Sequence, residues 1–184
     1  MFAGGCLFID HASNFVHVEL QKQLNTHERM KAEQDFELMV RDSGVIPQSY
    51  LSDNGGSFTT AKFTEHLGTL KQVVEFAGVG AHHHNGHTER NIQTIMSIAW
   101  TKMLHSAVHW PYVADATLWP MAVTSAVFLH NHVLNLPSGL CPHHVFTKLR
   151  WEQRKFHDLH VWGCPVYVLE KAIADGKKLP LWKP

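Results

Sequence analysis

Apolar and polar residues change their period several times along the chain, and each change marks an element. Cys6-Leu7-Phe8-Ile9 is a short apolar run entering Asp10-His11-Ala12-Ser13-Asn14, and Phe15-Val16-His17-Val18-Glu19-Leu20 then alternates. Alternation with period 2 marks a half-buried strand and Ser-Asn is turn chemistry, so the two runs predict a hairpin turning at Ser13-Asn14. Asn25-Thr26-His27-Glu28 has the form of a capping box. The segment behind it, to Asp42, carries Met30, Phe36, Met39 and Val40 on one side and predicts a helix that stops before Gly44. Val45 to Leu51 predicts a strand, Ser52-Asp53-Asn54-Gly55-Gly56 a turn, Thr59 to Leu70 a second helix and Val73 to Val79 another strand.

Gly80 to His87 is a Gly- and His-rich loop. Thr88 to Leu104 predicts a helix with Ile92, Ile95, Met96, Ala99 and Met103 as one apolar stripe. Leu118 to Val133 predicts a longer helix opened by Trp119-Pro120. Beyond Pro137 the pattern is irregular until Val161 to Leu169, which alternates as a short strand. Strands interleaved with helices, followed by two helices, predict an α/β domain with a mixed sheet flanked by helices.

Composition narrows the class. The 184 residues are 45% hydrophobic and 17% charged, a globular balance. The longest apolar stretch, Leu118 to Phe128, is broken by Pro120, Thr124 and Ser125, too short and too interrupted for a membrane span. The first residues lack a basic segment, so the expected location is nucleus or cytoplasm, neither secreted nor membrane. Cys6, Cys141 and Cys164 lie far apart without a C-x-x-C, which argues against a disulfide framework or a cysteine zinc site. Charge balances overall but not along the chain. Residues 1–145 hold 8 Lys and Arg against 12 Asp and Glu, whereas residues 146–184 hold 8 against 4. The expected division is therefore a core at 1–145 and a basic post-core segment at 146–184 with a short β element.

Two carboxylates stand where chemistry collects. Asp53 ends a strand at a Gly-rich turn, and ligands in open α/β sheets gather at the carboxyl ends of strands. Glu89 opens the helix after the His-rich loop, where the helix dipole favours an acid. Acids from two elements can grip a divalent cation, and hard oxygen ligands suit Mg²⁺ or Mn²⁺. Gln93 and Ser97 follow on the same helical face and could lie along a phosphate backbone. The run His82-His83-His84 gives adjacent imidazoles that point apart, so structural zinc is not expected. His130, His132, His143, His144, His157 and His160 read as surface or cap positions.

Asp53 and Glu89 are separated by 35 residues. With Ser52-Asp53-Asn54-Gly55-Gly56-Ser57-Phe58 and Asn85-Gly86-His87-Thr88-Glu89-Arg90, the chain closely resembles the integrase catalytic core of copia-type retrotransposons, an RNase H-like domain of the D,D-35-E kind. The likeness extends through Phe8-Ile9-Asp10-His11-Ala12-Ser13, similar to the family's second strand, and through the blocks Leu118 to Val123, Leu129-His130-Asn131 and Leu159 to Val168. Phe76 to His84 resembles the copia-like elements of diatoms.

The resemblance implies polynucleotidyl transfer, that is 3′-end processing and strand transfer, with two Mg²⁺ or Mn²⁺ ions on three carboxylates. Asp53 matches the second metal-binding acid and Glu89 the third, Asn85 and Gly86 a mobile loop that positions DNA, and Gln93 a DNA-backbone contact. Arg150, Arg154, Lys155, Lys177 and Lys178 supply a basic contact to DNA. Implied partners are element ends, target DNA and further copies of the full-length protein. The family's first acid lies on a strand upstream of the hairpin, so the expected sheet lacks its first strand. Asp10 precedes Asp53 by 42 intervening residues and offers itself as the third acid, although its neighbours match the second strand. The competing expectation is a catalytically dead relic that only binds nucleic acid or a partner.

Overall fold

The hairpin forms where the alternation places it. In the computed structural model, which describes residues 1–52, 61–76, 86–135, 137–149, 156 and 159–166, β1 (Gly4–Ile9) pairs antiparallel with β2 (Val16–Gln21). Ile9 stands opposite Val16 and Leu7 opposite Val18, which puts these four on one face. Phe8 and His17, also opposite one another, take the other face.

Each face of the hairpin has its own core. Leu7, Ile9, Val16 and Val18 pack with Ile95, Ala99, Ala122, Val123, Ala126 and Val127 of two later helices. On the reverse face Phe8 stacks on Phe36 with ring centroids 4.4 Å apart and planes 5° apart. Phe36 belongs to α1 (Thr26–Asp42), whose Asn25 cap accepts from the Glu28 N–H at 2.9 Å. The reciprocal half of the expected capping box differs, because the Glu28 carboxylate accepts from the Lys22 N–H at 3.3 Å.

β3 (Ser49–Ser52) and β4 (Val73–Phe76) pair in parallel, with α2 (Ala61–Thr69) between them in sequence, as a parallel pair requires a crossover. Both strands are shorter than their apolar runs. Residues 45–48 precede the ladder as irregular chain, with Pro47 unable to donate, and residues 77–79 lie outside the described residues. Among the described residues no ladder joins β1–β2 to β3–β4. Side chains bridge them instead: Tyr50 of β3 meets Phe8 edge-on at 6.5 Å.

Two buried acids of α1 escape the sequence pattern. The Glu37 carboxylate accepts from the Tyr50 hydroxyl at 2.6 Å and from the Gln72 amide at 2.5 Å. Glu33, one turn earlier, lies 3.0 Å from His66 Nε2 of α2. Burial raises the Glu33 carboxyl above its ordinary range although His66 pulls the other way. Burial and the bond to Glu37 hold the Tyr50 phenol well above its usual range, so it donates throughout the working pH range.

The last helices are α3 (Gly86–His109), α4 (Trp119–His132) entered through a single 3₁₀ turn at Ala116–Leu118, and α5 (Pro142–Thr147). Small residues at the α3–α4 contact, Ala99, Ala122 and Ala126, let the two helices approach closely. Several sequence expectations change here. α5 falls where irregular chain was expected and spans the expected boundary at 145, and Phe146 stacks on Phe15 at 4.3 Å within the core. Val161 to Val166 makes a turn closed by Cys164 N–H to Val161 C=O at 3.1 Å, because Gly163 takes a positive φ that ends any alternation; residues 167–169 lie outside the described residues. His132 is buried rather than superficial, with ring contacts to Phe128 at 4.3 Å and His143 at 4.8 Å.

Candidate functional site

Glu89 sits in the first turn of α3 with its side chain exposed. Gly86 is the first helical residue rather than part of the preceding loop, so α3 starts two residues earlier than the apolar pattern suggests. An acid in a first turn complements the unsatisfied N–H groups there, which stabilises a helix by about 0.3–1 kcal/mol. Asp53 follows directly in sequence on Ser52, the last residue of β3, and itself lies outside the described residues, as does Asn85. Gln93 and Ser97 are exposed one and two turns after Glu89 on the same line of the helix. Arg150, Arg154, Lys155, Lys177 and Lys178 lie outside the described residues, as do His82, His83, His84 and His157.

What fixes the start of α3 is a set of amides and a turn distant in sequence. Asn91, buried, donates from Nδ2 to Asn14 Oδ1 at 2.9 Å and to the His87 carbonyl at 3.0 Å. Asn14 has φ of 60°, a left-handed conformation that Asn tolerates better than most residues. His130 Nε2 of α4 lies 3.0 Å from the Asn14 carbonyl. The next residue, Asn131, accepts from the Val16 N–H at 2.9 Å and donates to the Val16 carbonyl at 2.6 Å. The hairpin turn, the helix of Glu89 and the end of α4 are thereby joined into one unit. Sequence reasoning singled out none of these amide roles, since the partners lie 77, 116 and 115 residues apart.

Asp10 is engaged inside the hairpin turn. Its Oδ2 accepts from the Ser13 N–H at 2.7 Å and from the Ser13 hydroxyl at 2.5 Å. Its backbone adds N–H to Phe15 C=O at 2.9 Å and C=O to Asn14 N–H at 2.8 Å. This is an Asx-type turn, in which a short acid replaces a backbone acceptor. The neighbouring ring of His11 meets His87 at 4.7 Å. Burial, then His11 and Arg90, lower the His87 pKa, which keeps that imidazole neutral at pH 7.

Among the described residues no three His, Cys, Asp or Glu side chains converge as metal ligands. Glu89 offers an exposed carboxylate at the start of α3, and Asp53, its companion in the sequence analysis, lies outside the described residues. A groove of about 690 Å³ lined by Ser13, Asn14, Ile98, Leu129, His130 and Cys141, among others, has no carboxylate in its wall. No helix among the described residues is long and apolar enough to cross a membrane.

No family model matches the chain. Over 179 residues it is 27% identical to the retrovirus-related Pol polyprotein from transposon TNT 1-94 of Nicotiana tabacum, an alignment covering 94% of this chain and 13% of that polyprotein. Its structure resembles the catalytic core domain of HTLV-2 integrase solved in complex with magnesium, with a TM-score of 0.58 and 19% identity over 77% of this chain and 84% of that one. The catalytic core domain of BIV integrase matches with a TM-score of 0.57 and 13% identity over the same shares. A chain of the simian T-cell lymphotropic virus intasome matches with a TM-score of 0.59 and 13% identity over 76% of this chain and 46% of that one. The fold is thus that of a retroviral integrase catalytic core, RNase H-like, and the chain is homologous to a segment of a retrotransposon Pol polyprotein.

Proposed function

We propose that this chain is the catalytic-core portion of a copia-type retrotransposon integrase, acting within a longer protein in 3′-end processing and strand transfer. The observation that carries the reading is Glu89, exposed in the first turn of a helix clamped to the hairpin, with 35 residues between it and an aspartate that directly follows β3. Homology to a Pol polyprotein on an integrase-core fold supports that assignment.

Asp53 and Glu89 hold Mg²⁺ or Mn²⁺ in this reading. When bound, the cation supplies Lewis acidity and makes oxygen nucleophilic at neutral pH. The chain contributes placement. Glu89 is presented by a helix terminus that Asn91 ties to the hairpin turn, which anchors the backbone that carries it. Gln93, on the same line, donates its amide to a backbone phosphate. Asn85 and Gly86 shape the approach of DNA, and residues 146–184, with Arg150, Arg154, Lys155, Lys177 and Lys178, act as a basic post-core contact. The partners are element ends, target DNA and further copies of the full-length protein.

Asp10 stays outside the metal-binding set, a placement supported by the engagement of its Oδ2 with Ser13. The first acid belongs on a further strand of the longer protein, between the hairpin and β3. Supporting this, β1 and β3 each pair on one side only among the described residues and meet through Phe8 and Tyr50. Titration calorimetry with Mn²⁺ tests the reading. Site-specific binding is expected to weaken at least tenfold in both Asp53→Asn and Glu89→Gln. Binding that survives both substitutions unchanged removes these acids from the cation site.

A further inference from the structure

The chain has 16 histidines, and the reading above gives none of them a ligand role. Among the described residues some stand in pairs, with ring centroids 4.7 Å apart in His11–His87, 4.8 Å in His132–His143 and 4.2 Å in His105–His109. The Arg90 charge bears on His87 in the first pair and opposes a cation there. The second pair is packed among rings, with Phe128 4.3 Å from His132 and Phe15 6.4 Å from His143. The third pair is exposed near the end of α3, where neither obstacle applies.

We propose that His105 and His109 form a solvent-facing site for a borderline transition-metal ion, Cu²⁺ or Zn²⁺. The site goes beyond the cation chemistry of Glu89 and does not depend on it. Spacing is the first reason. Side chains at i and i+4 lie on one helical face, and this is the spacing by which both histidines of an H-E-x-x-H helix reach one zinc. With metal–nitrogen bonds of about 2.0–2.1 Å, two imidazoles on one ion have centroids roughly 4.5–5.2 Å apart. The observed pair, at 4.2 Å, reaches that by opening about 1 Å or less. Ligand type is the second reason. Imidazole suits copper and zinc, whereas Mg²⁺ and Mn²⁺ prefer oxygen. The two ends of α3, about 24 Å apart between residues 89 and 105, therefore select different ions.

The surroundings are the third reason. The partial negative charge at a helix C-terminus favours a cation. The lysine nearest in sequence, Lys102, does not compete, because its ammonium donates to Ser125 of α4 at 2.5 Å. The last turns are also held in place from behind. Ser106 is buried, and a Cβ on Gly163 would come within 2.5 Å of its Oγ, so the chain at Gly163 packs directly on the helix. That contact restrains a helix end that would otherwise fray, and keeps the two imidazoles in register. The acid nearest in sequence, Asp115, accepts from the Thr117 N–H at 2.8 Å, and among the described residues no third His, Cys, Asp or Glu side chain converges here. Two protein nitrogens leave the other positions to water, which makes the site open and exchangeable, unlike a closed structural zinc site.

Trp110 supplies a local reporter, since its ring lies 5.7 Å from that of His105 and 5.9 Å from that of His109. Residues 1–184 labelled with 5-fluorotryptophan are titrated with Cu²⁺ at about pH 7.5, because the ligand must be neutral imidazole. The fluorine signal that Trp110→Phe removes belongs to Trp110. Paramagnetic Cu²⁺ is expected to broaden that signal beyond detection, and both His105→Asn and His109→Asn to raise the Cu²⁺ concentration needed at least tenfold. A further variant tests the pairing itself. Ala107→His added to His109→Asn restores the number of imidazoles but at i+2, off the shared face, and is expected to stay impaired. A Trp110 signal that survives a tenfold excess of Cu²⁺, one that broadens in the His→Asn variants at the parent's concentration, or recovery with Ala107→His overturns the proposal. None of these outcomes touches the Mn²⁺ calorimetry, which reads Asp53 and Glu89.

Discussion

Replacing Asn131 with leucine probes how the hairpin is held. The outward edge of β2 at Val16 has no strand beside it among the described residues; its N–H and C=O both end on the Asn131 amide, at 2.9 and 2.6 Å. Asn131 is buried and Val16 fully so, which keeps water from replacing those bonds. Leucine has the same branching with bulkier methyl ends and leaves two backbone groups orphaned. Each costs about 1–3 kcal/mol, so the loss is about 2–6 kcal/mol, reduced by roughly 1 kcal/mol for the added apolar contact. Against a typical total of about 5–15 kcal/mol this is a large fraction. Urea unfolding followed by circular dichroism should show a lower midpoint with an unchanged slope. Asn131→Asp supplies a sharper control. Ionised, its carboxylate keeps the acceptor for Val16 N–H but opposes the Val16 carbonyl; protonated, it can donate again. Its folded pKa is then raised above about 3.9, so its stabilising contribution is complete below that value and lost as pH rises through the raised one. A leucine variant within about 0.5 kcal/mol of the parent would refute the reasoning.

The buried acid of α1 gives a second pH signature. Glu33 has its pKa raised chiefly by burial, so its favourable contribution is complete below the ordinary value of 4.5 and is lost as pH rises through the raised one. Glu33→Gln should flatten this part of the stability–pH curve and be relatively more stable at pH 8 than at pH 4.5; equal slopes for the two proteins would show that Glu33 does not titrate as described. For nucleic acid, duplex binding should be strongly salt-dependent, and removing Arg150, Arg154 or Lys155 should reduce the slope of log K against log salt by about 0.9 per phosphate contact. An unchanged slope after all three substitutions places the contact elsewhere.

Much of the fold can be read from the sequence because local period and tertiary role agree. The hairpin follows from alternation whose apolar positions are those packed against α3 and α4, and α1 begins at a side-chain cap written in four residues. Agreement fails where partners are remote. The apolar stripe expected on α3 joined Ile92 and Met96 to Ile95 and Ala99; the packed helix turns so that Ile95 and Ala99 face α4 while Ile92 and Met96 are left outward. Glu33 and Glu37 lie outside the apolar stripe expected on α1, and His66, Tyr50 and Gln72, brought in by α2, β3 and the approach to β4, together with Arg41 of the same helix, make their burial tolerable. α5 is six residues long, too short to show a period, and its burial depends on Phe146 meeting Phe15. Of the site, Glu89 is legible as a first-turn acid, whereas the amides around it look like ordinary polar residues until Asn14 and Asn91 are seen together.

Those amides explain how the helix terminus that carries Glu89 is anchored. The first turn of a helix lacks half of its hydrogen bonds and frays readily. α3 offsets this one turn further in, where Asn91 closes a bond back to the His87 carbonyl and another across to Asn14. Asn14 is itself immobilised, since its carbonyl meets His130 and the strand beginning at Val16 is gripped by Asn131. Consecutive residues of α4 thus hold the turn and the strand that follow from Asp10, and Asp10 in turn closes that turn through Ser13. The side-chain oxygen at position 10 makes this closure, a role independent of the cation chemistry proposed for Glu89. Asp10 and Glu89 thus stand in different environments: one carboxylate accepts two bonds at Oδ2 from its own turn, the other is exposed at the helix start. Ligating a metal through Oδ2 costs Asp10 the two bonds that close its turn, whereas the exposed Glu89 gives up only water, a difference in cost that supports the roles proposed for them.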